Sequence, residues 1–186
     1  MFDTKYISCA DTAKLIRKDL KAKFPNQKFT VNSKSYAGGA SITVRWFNGP
    51  TTKDVEAITN RYESKSFDGS IDMACYKDHW MLPDGSVTLA RTAGTEDSRG
   101  YIPAVKTDKP HPDAIKVSFG ASYIFCERKY SASFLQNTVD QIVKQFHIDE
   151  PISVKVSTYD NSAWLETHNF DIQHLIMGHI QKISLL

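Results

Sequence analysis

The sequence predicts an α+β fold in which helices, the first of them basic, pack on one face of an antiparallel sheet. Residues 28–50 form two arms of alternating apolar and polar side chains around a Gly-Gly pair, a pattern typical of a β-hairpin. Amphipathic segments of helical period precede and follow that hairpin. From residue 114 onward, segments with strand and helix patterns alternate again. Together these observations favour a mixed fold over an all-β one.

The predicted hairpin has one apolar face and one face rich in hydroxyl and basic side chains. Ile42, Val44 and Trp46 share the apolar face of the second arm. This alternation favours a sheet with one face on a core and the other toward water or a partner. Gly38 and Gly39 are expected to supply the positive φ angles of the turn.

The first predicted helix precedes the hairpin. Ser8 is its expected N-cap with Asp11 three residues later, and Pro25 ends it. Apolar residues recur on one side and lysines and arginines occupy much of the remaining surface. Three more helices are expected, with predicted starts at Thr51 or Thr52, at Ser131 or Ser133, and at about Asp171.

These elements suggest three parts of the chain. Residues 1–91 are predicted to form a helix-hairpin-helix-strand module. Residues 92–113 carry scattered Gly and Pro without a sustained period, which predicts a loop or linker. Residues 114–186 are expected to form a strand-helix-strand-helix half that packs on the first module.

Charge is unevenly distributed along the 186 residues. Residues 1–48 contain nine Lys or Arg and three Asp, a net charge of +6, whereas the rest of the chain has a net charge of −4. A basic front is consistent with contact to a polyanion or an acidic protein surface, and it equally suits an ordinary solvated helix. No apolar run reaches the ~20 residues of a membrane span, so a cytoplasmic protein without membrane contact is expected.

Several segments of the first half point to a known family: FPNQKF, then SITVRWFNGPT, then FDGSID. Over about Ile7 to Asp72 the chain resembles the large polyvalent protein-associated domain of type 29, a small α+β module of phages and conjugative elements. The resemblance implies a mobile-element protein active in counter-defence, such as anti-restriction or anti-CRISPR activity, or in handling incoming DNA. It implies no catalytic residues.

The basic helix and the polar hairpin face supply the candidate binding residues for nucleic acid or an acidic partner. Cations can contact phosphate, and an exposed aromatic ring can stack on a base. Trp46 shares a face with Ile42 and Val44 and is expected in the core. The candidates are Lys14, Arg17, Lys18, Lys21, Lys34, Tyr36 and Arg45.

Metal and acid/base sites find little support in the sequence. His168, Asp171, His174 and His179 crowd the C-terminal segment, but His174 and His179 are five residues apart, whereas a helical zinc pair is normally four apart. The expectation is therefore no metal site, no cofactor and no catalytic residue. Cys9, Cys75 and Cys126 are far apart and are expected to be reduced thiols.

The sequence thus favours a non-enzymatic phage or plasmid protein that binds and modulates a host defence or DNA-processing protein. A direct DNA- or RNA-binding accessory protein in element transfer or replication is the alternative. A hydrolase that uses the His-rich C-terminal segment is a third class. The apolar stripes of the helices would also suit a homodimer.

Overall fold

The computed structural model describes residues 4–69, 72–91 and 106–183. Within these ranges the chain forms four α-helices and eleven strands. The helices are α1 (Cys9–Lys23), α2 (Thr52–Thr59), α3 (Ala132–Phe146) and α4 (Phe170–Ile180). The strands are β1 (Lys5–Ile7), β2 (Thr30–Tyr36), β3 (Gly39–Phe47), β4 (Lys65–Asp68), β5 (Met73–Tyr76), β6 (Asp78–Met81), β7 (Val87–Arg91), β8 (Ile115–Phe119), β9 (Tyr123–Lys129), β10 (Ser153–Val156) and β11 (Ala163–Glu166). The predicted α+β class is confirmed.

Side-chain caps begin the helices where the sequence suggested. Ser8 accepts a hydrogen bond from the Asp11 backbone N–H at the start of α1. Thr51 and Asp54 form a reciprocal capping box on α2, and Ser131 caps α3. Each cap satisfies N–H groups that have no partner inside the helix.

The described strands form sheets of four (β1-β8-β6-β7), three (β2-β3-β9), two (β4-β5) and two (β10-β11) strands. The expectation of an antiparallel sheet is wrong for two pairings, because β9 runs parallel to β3 and β8 runs parallel to β1. Parallel neighbours need a long crossover connection, and more than 70 residues separate the strands of each parallel pair.

The turn of the hairpin differs from expectation at one glycine. Tyr36 pairs with Gly39, so the loop consists of Ala37 and Gly38. Gly38 has a positive φ of 87°, a conformation that glycine adopts without steric cost. Gly39 has no positive φ and begins β3 instead.

The described chain contains two large hydrophobic cores and a small third cluster of Trp80, Ala90 and Ala114. In the first, α1 and α2 pack on the β2-β3-β9 sheet, and Ile16, Leu20, Val44, Trp46 and Val55 are buried there. This core also contains residues of β8 and β9. The second core lies among α3, α4, β10 and β11.

The predicted division of the chain into three parts stays a proposal, and the strand pairings can be compared with its boundaries. Most of the predicted loop, residues 92–105, lies outside the described residues. After it the order is β8, β9, α3, β10, β11, α4, so the expected strand-helix-strand-helix order missed two strands. Because β8 and β9 pair with strands of the first module, these contacts favour a boundary near Ser131 rather than within residues 92–113.

Candidate functional site

The side of the β2-β3-β9 sheet that faces away from α1 and α2 forms the candidate site, here called the outer face. Val31, Ile42, Val44 and Ile124 are buried on the inner side, and because side chains alternate along a strand, their neighbours project outward. The strand register places one residue each from β2, β3 and β9 in every row of the outer face. The three rows are Lys34, Ser41 and Tyr123, then Asn32, Thr43 and Phe125, then Thr30, Arg45 and Glu127. Tyr36 lies beyond the first row, and Phe47 and Lys129 lie beyond the last.

Aromatic rings are exposed at several points of the outer face. The exposed fraction is 47% for Tyr36, 40% for Phe47 and 53% for Phe125, and Tyr123 is half-buried. Residues two apart on a strand lie about 6.6 Å apart on the same face, so the rings of Tyr123 and Phe125 follow one another along β9. The outer face therefore offers a row of flat apolar surfaces to a ligand.

Gly39 provides room for the ring of Tyr36. A Cβ atom at Gly39 would lie 3.3 Å from Cε2 and 3.4 Å from the hydroxyl oxygen of Tyr36. The absence of a side chain thus lets the ring lie over the neighbouring strand. The sequence assigned this glycine to the turn, whereas the structure assigns it to the support of Tyr36.

Charged groups of the outer face are mostly paired. Arg45 donates to Glu127 through Nε at 2.5 Å and through Nη2 at 3.3 Å, and this hydrogen bonding raises the pKa of the guanidinium. Lys129 pairs with Asp160 and holds the pKa of that carboxyl below its usual range. Lys34 is exposed and forms no ion pair within the described residues. Lys34 is therefore a cation of this face that is ready for an external anion.

Polar side chains lie between these rings and charges. Asn32 and Thr30 are exposed and Thr43 is half-buried. Within the part of the chain that the structure describes, Asn32 and Thr43 form no side-chain hydrogen bond. Their amide and hydroxyl groups remain available to a ligand.

The structure separates the seven predicted binding residues into two groups. Lys34, Tyr36 and Arg45 share the outer face, with Arg45 opposite Thr30 at the far end of β2 from Tyr36. The candidates on α1 lie on the opposite side of the sheet, because the buried side of α1 packs on the inner face. These helix candidates are Lys14, Arg17, Lys18 and Lys21.

Two of the four helix candidates already have partners. Lys14 forms an ion pair with Asp11 at 2.8 Å, and Arg17 donates a hydrogen bond to the backbone carbonyl of Val31 at the edge of the sheet. Lys18 and Lys21 are exposed and make no ion pair among the described residues. They remain a separate basic surface.

Comparison with known proteins gives a family match. A family model described as large polyvalent protein associated domain 29, LPD29, covers residues 7–131, which is more than half of the chain. The chain belongs to the LPD29 family. It is thus a polyvalent protein of a phage or mobile element. No curated protein and no solved structure matches it.

The LPD29 match extends well beyond the segment that carried the sequence resemblance. It continues through β8 and β9 to residue 131, so it includes every strand of the outer face. The elements α3, β10, β11 and α4 follow the matched region. The outer face is therefore built entirely from the LPD29 part of the chain.

Sequence reasoning missed Tyr123, Phe125 and Glu127, although a local signal for them exists. In β9 these residues alternate with Ile124 and Cys126, the same period-two pattern that predicted the hairpin. Phe125 completes the central row with Asn32 and Thr43 only because β9 pairs with β3. That pairing leaves no trace in the local pattern.

Two histidines of the C-terminal segment, His174 and His179, make ring contacts within the protein, whereas His168 is exposed. The His174 ring lies 4.4 Å from the Phe170 ring, while His179 Nδ1 is 2.9 Å from the Leu175 carbonyl oxygen and its ring packs on Phe146. Among the described residues no group of three or more His, Cys, Asp or Glu side chains is placed to hold a metal. None of the described helices has the length and apolar character of a membrane span.

Proposed function

We propose that this LPD29 protein is a non-enzymatic binding protein that holds single-stranded nucleic acid on its outer face. The observation that carries the proposal is the set of exposed rings of Tyr36, Phe47 and Phe125 on a sheet that also presents the cation Lys34. Single-stranded DNA and RNA bind to surfaces where bases stack on aromatic side chains and cations contact the backbone. In a phage or plasmid, such binding would act on host DNA processing or on the element's own transfer.

The chemistry of the face favours a single strand over a duplex. Stacking needs bases that are free of their neighbours, and in a duplex the base faces are covered. Asn32 and Thr43 lie between the rings, and their side chains can donate to or accept from base edges. Because most of the described cations of the face are paired, most of the affinity is expected from stacking.

Replacement of Phe125 by alanine is expected to weaken binding of a labelled oligothymidine of about 12 nucleotides roughly 5- to 150-fold. The loss corresponds to the ~1 to 3 kcal/mol of one base stacked on an aromatic ring. Fluorescence anisotropy measures the affinity. Phe125→Tyr keeps the ring and should bind like the parent protein. Phe170→Ala, which removes an exposed ring from α4, is the matched control.

The variant Lys34→Ala is expected to change the salt dependence of oligonucleotide binding. The loss of one phosphate contact reduces the dependence of log affinity on log salt by about one unit. Lys144→Ala, on the exposed side of α3, should leave the salt dependence unchanged. If the parent protein binds no oligonucleotide at low salt, or if Phe125→Ala and Phe170→Ala behave alike, the outer face is not a nucleic-acid site.

A second candidate function uses the other side of the molecule. Helix α1 carries five cations and two carboxylates. Of the two carboxylates, Asp11 is paired with Lys14, and Asp19 accepts a 2.6 Å hydrogen bond from the buried Tyr62. This exposed basic surface suits an acidic surface of a host defence or DNA-processing protein. In a complex of this kind, the protein would sterically block access to that acidic surface.

Charge reversal separates the two candidates. The double variant Lys18→Glu/Lys21→Glu is expected to keep its oligonucleotide affinity within about twofold, since the sheet lies between α1 and the outer face and exposed charges are screened over ~8 Å at physiological salt. A partner protein bound through α1 should be lost from a nuclease-treated pulldown of the double variant and kept by Phe125→Ala. A loss of oligonucleotide affinity of about tenfold or more in the double variant would place the nucleic acid on α1 instead.

A further inference from the structure

A groove of about 390 Å³ lies next to the outer face, between β1, the edge strand of the four-stranded sheet, and the β4-β5 hairpin. Its lining includes Tyr6, Lys65, Tyr76, Gly120 and Ser122. The exposed fraction is 67% for Tyr6 and 62% for Tyr76. Two large exposed rings therefore flank a groove that is not part of the outer face.

Neighbouring residues fix the positions of the two rings of this groove, in the same way that Gly39 makes room for the ring of Tyr36 on the outer face. Tyr6 lies over Gly120, where an added Cβ atom would be 3.1 Å from the ring carbon Cζ of Tyr6. Lys65 Nζ lies 4.9 Å from the ring centroid of Tyr76, a cation–π contact that orients this ring. Each tyrosine keeps exposed ring surface that can stack on a base.

The groove begins where the outer face ends. Ser122 lines the groove, and its hydroxyl oxygen lies 3.0 Å from the position of a Cβ atom at Gly39, where Tyr36 also approaches. Ser122 itself is buried, so it joins the end of the outer face to the floor of the groove, and the exposed rings of Tyr36 and Tyr6 lie on either side of this junction.

The charges of the groove suit a phosphate backbone. Lys77 pairs with Glu63 at 3.0 Å and Asp78 pairs with Lys116 at 3.0 Å, so these groups are internally neutralised. Lys65 has no carboxylate partner among the described residues. With these two pairs neutralised, Lys65 carries the remaining positive charge of the described groove residues.

We infer that the nucleic-acid strand on the outer face extends past Ser122 into this groove, where a base stacks on Tyr76 or Tyr6 and Lys65 contacts a phosphate. The inference rests on the proposed function and extends it, since the strand contacts two surfaces in sequence. The binding site is then longer than the outer face alone. A short oligonucleotide fills the outer face, and only a longer one reaches the groove.

Length dependence tests the inference. Affinities of oligothymidines of about 4 and about 12 nucleotides, which span the usual site sizes, are measured for the parent protein, Tyr76→Ala and Phe125→Ala. We expect Tyr76→Ala to weaken the longer strand at least about fivefold and to leave the shorter one unchanged, whereas Phe125→Ala weakens both. Lys65→Gln removes the positive charge and keeps a long polar side chain. It should lower the salt dependence of the affinity for the longer strand alone.

The outcomes separate this inference from the function on which it rests. If Tyr76→Ala and Lys65→Gln bind both lengths like the parent while Phe125→Ala does not, the groove is no part of the path and the outer face remains a site. If the parent binds neither length, the proposed function itself fails. Photocrosslinking with single 5-bromouracil substitutions gives a positional check: crosslinks should move from the Phe125 peptide to the Tyr76 peptide along the longer strand.

Discussion

Replacement of Arg128 by methionine is expected to lower the free energy of unfolding by about 3 kcal/mol, because its guanidinium hydrogen-bonds both the hairpin exit and the end of α4. Arg128 donates to the backbone carbonyls of Asn48 at 2.8 Å and Gly49 at 2.9 Å, and to those of Ile180 at 3.3 Å and Ile183 at 2.7 Å. The last two lie at and just beyond the end of α4, where carbonyls have no partner inside the helix. Methionine keeps the apolar stem and removes the guanidinium donor from all four carbonyls, of which only that of Ile180 keeps another hydrogen bond among the described residues, from the Ile183 N–H at 3.2 Å.

Urea denaturation measures this loss, and limited proteolysis shows where it acts. We expect the first cuts in residues 132–183, since the substitution removes the hydrogen bonds that Arg128 makes to the end of α4 and leaves this segment held to the hairpin exit mainly through Asn48 and Ser131. Lys129→Met is the matched control on the opposite face of β9, where a partly exposed pair with Asp160 is lost at a cost of ~1 kcal/mol or less. Arg128→Lys should fall between the parent and Arg128→Met, because an ammonium cannot reach both carbonyl pairs as a fork. If Arg128→Met and Lys129→Met proved equally stable, Arg128 would not have this role.

Acid is expected to destabilise the protein through His79 before the carboxylates titrate. The His79 ring is fully buried against Phe119, with ring centroids 5.0 Å apart, and neither ring nitrogen has a hydrogen-bond partner among the described residues. Burial, assisted by the nearby Lys77 charge and opposed by Asp78, lowers the pKa of His79 from 6.5 to about 4. Between these two values the unfolded state binds a proton that the folded state does not bind.

The sign of the effect follows from this difference. Stability from the neutral ring is fully present above pH 6.5 and falls as the pH drops toward 4, by about 2 kcal/mol between about pH 7 and pH 5. Urea midpoints at these two pH values measure it. His79→Phe preserves the ring contact with Phe119 and removes the titration, so its stability should be nearly flat over this range, and His79→Leu serves if phenylalanine overpacks the site. A parent protein equally stable at both pH values would contradict the prediction.

The sequence was sufficient where structure follows from neighbours along the chain. The period-two alternation of the hairpin predicted which residues are buried, including Trp46, whose indole N–H donates to the Pro50 carbonyl at 2.9 Å. Ser8 and Thr51 predicted helix starts because a cap is a contact over three residues.

The sequence was insufficient where structure depends on distant partners. Phe125 lies beside Thr43 across 82 positions of the chain, and no local pattern encodes that register. The basic residues were grouped as one surface because they are close in sequence. Lys21 and Lys34 nevertheless lie on opposite sides of a sheet, since α1 covers the inner face. The face of the sheet that a helix covers depends on the packing of the whole core and not on the apolar stripe of the helix alone.

The parallel pairing of β3 with β9 has a consequence during synthesis. Phe47 and Lys129 end the two strands, so at ~5 to 20 residues per second the ribosome needs about 4 to 16 s to supply the missing neighbour. Through that interval the nascent hairpin has two open edges, each a template for pairing with another chain on the same polysome. Until Glu127 is translated, Arg45 lacks its ion-pair partner, and a charged side chain on an open edge strand disfavours pairing with another chain.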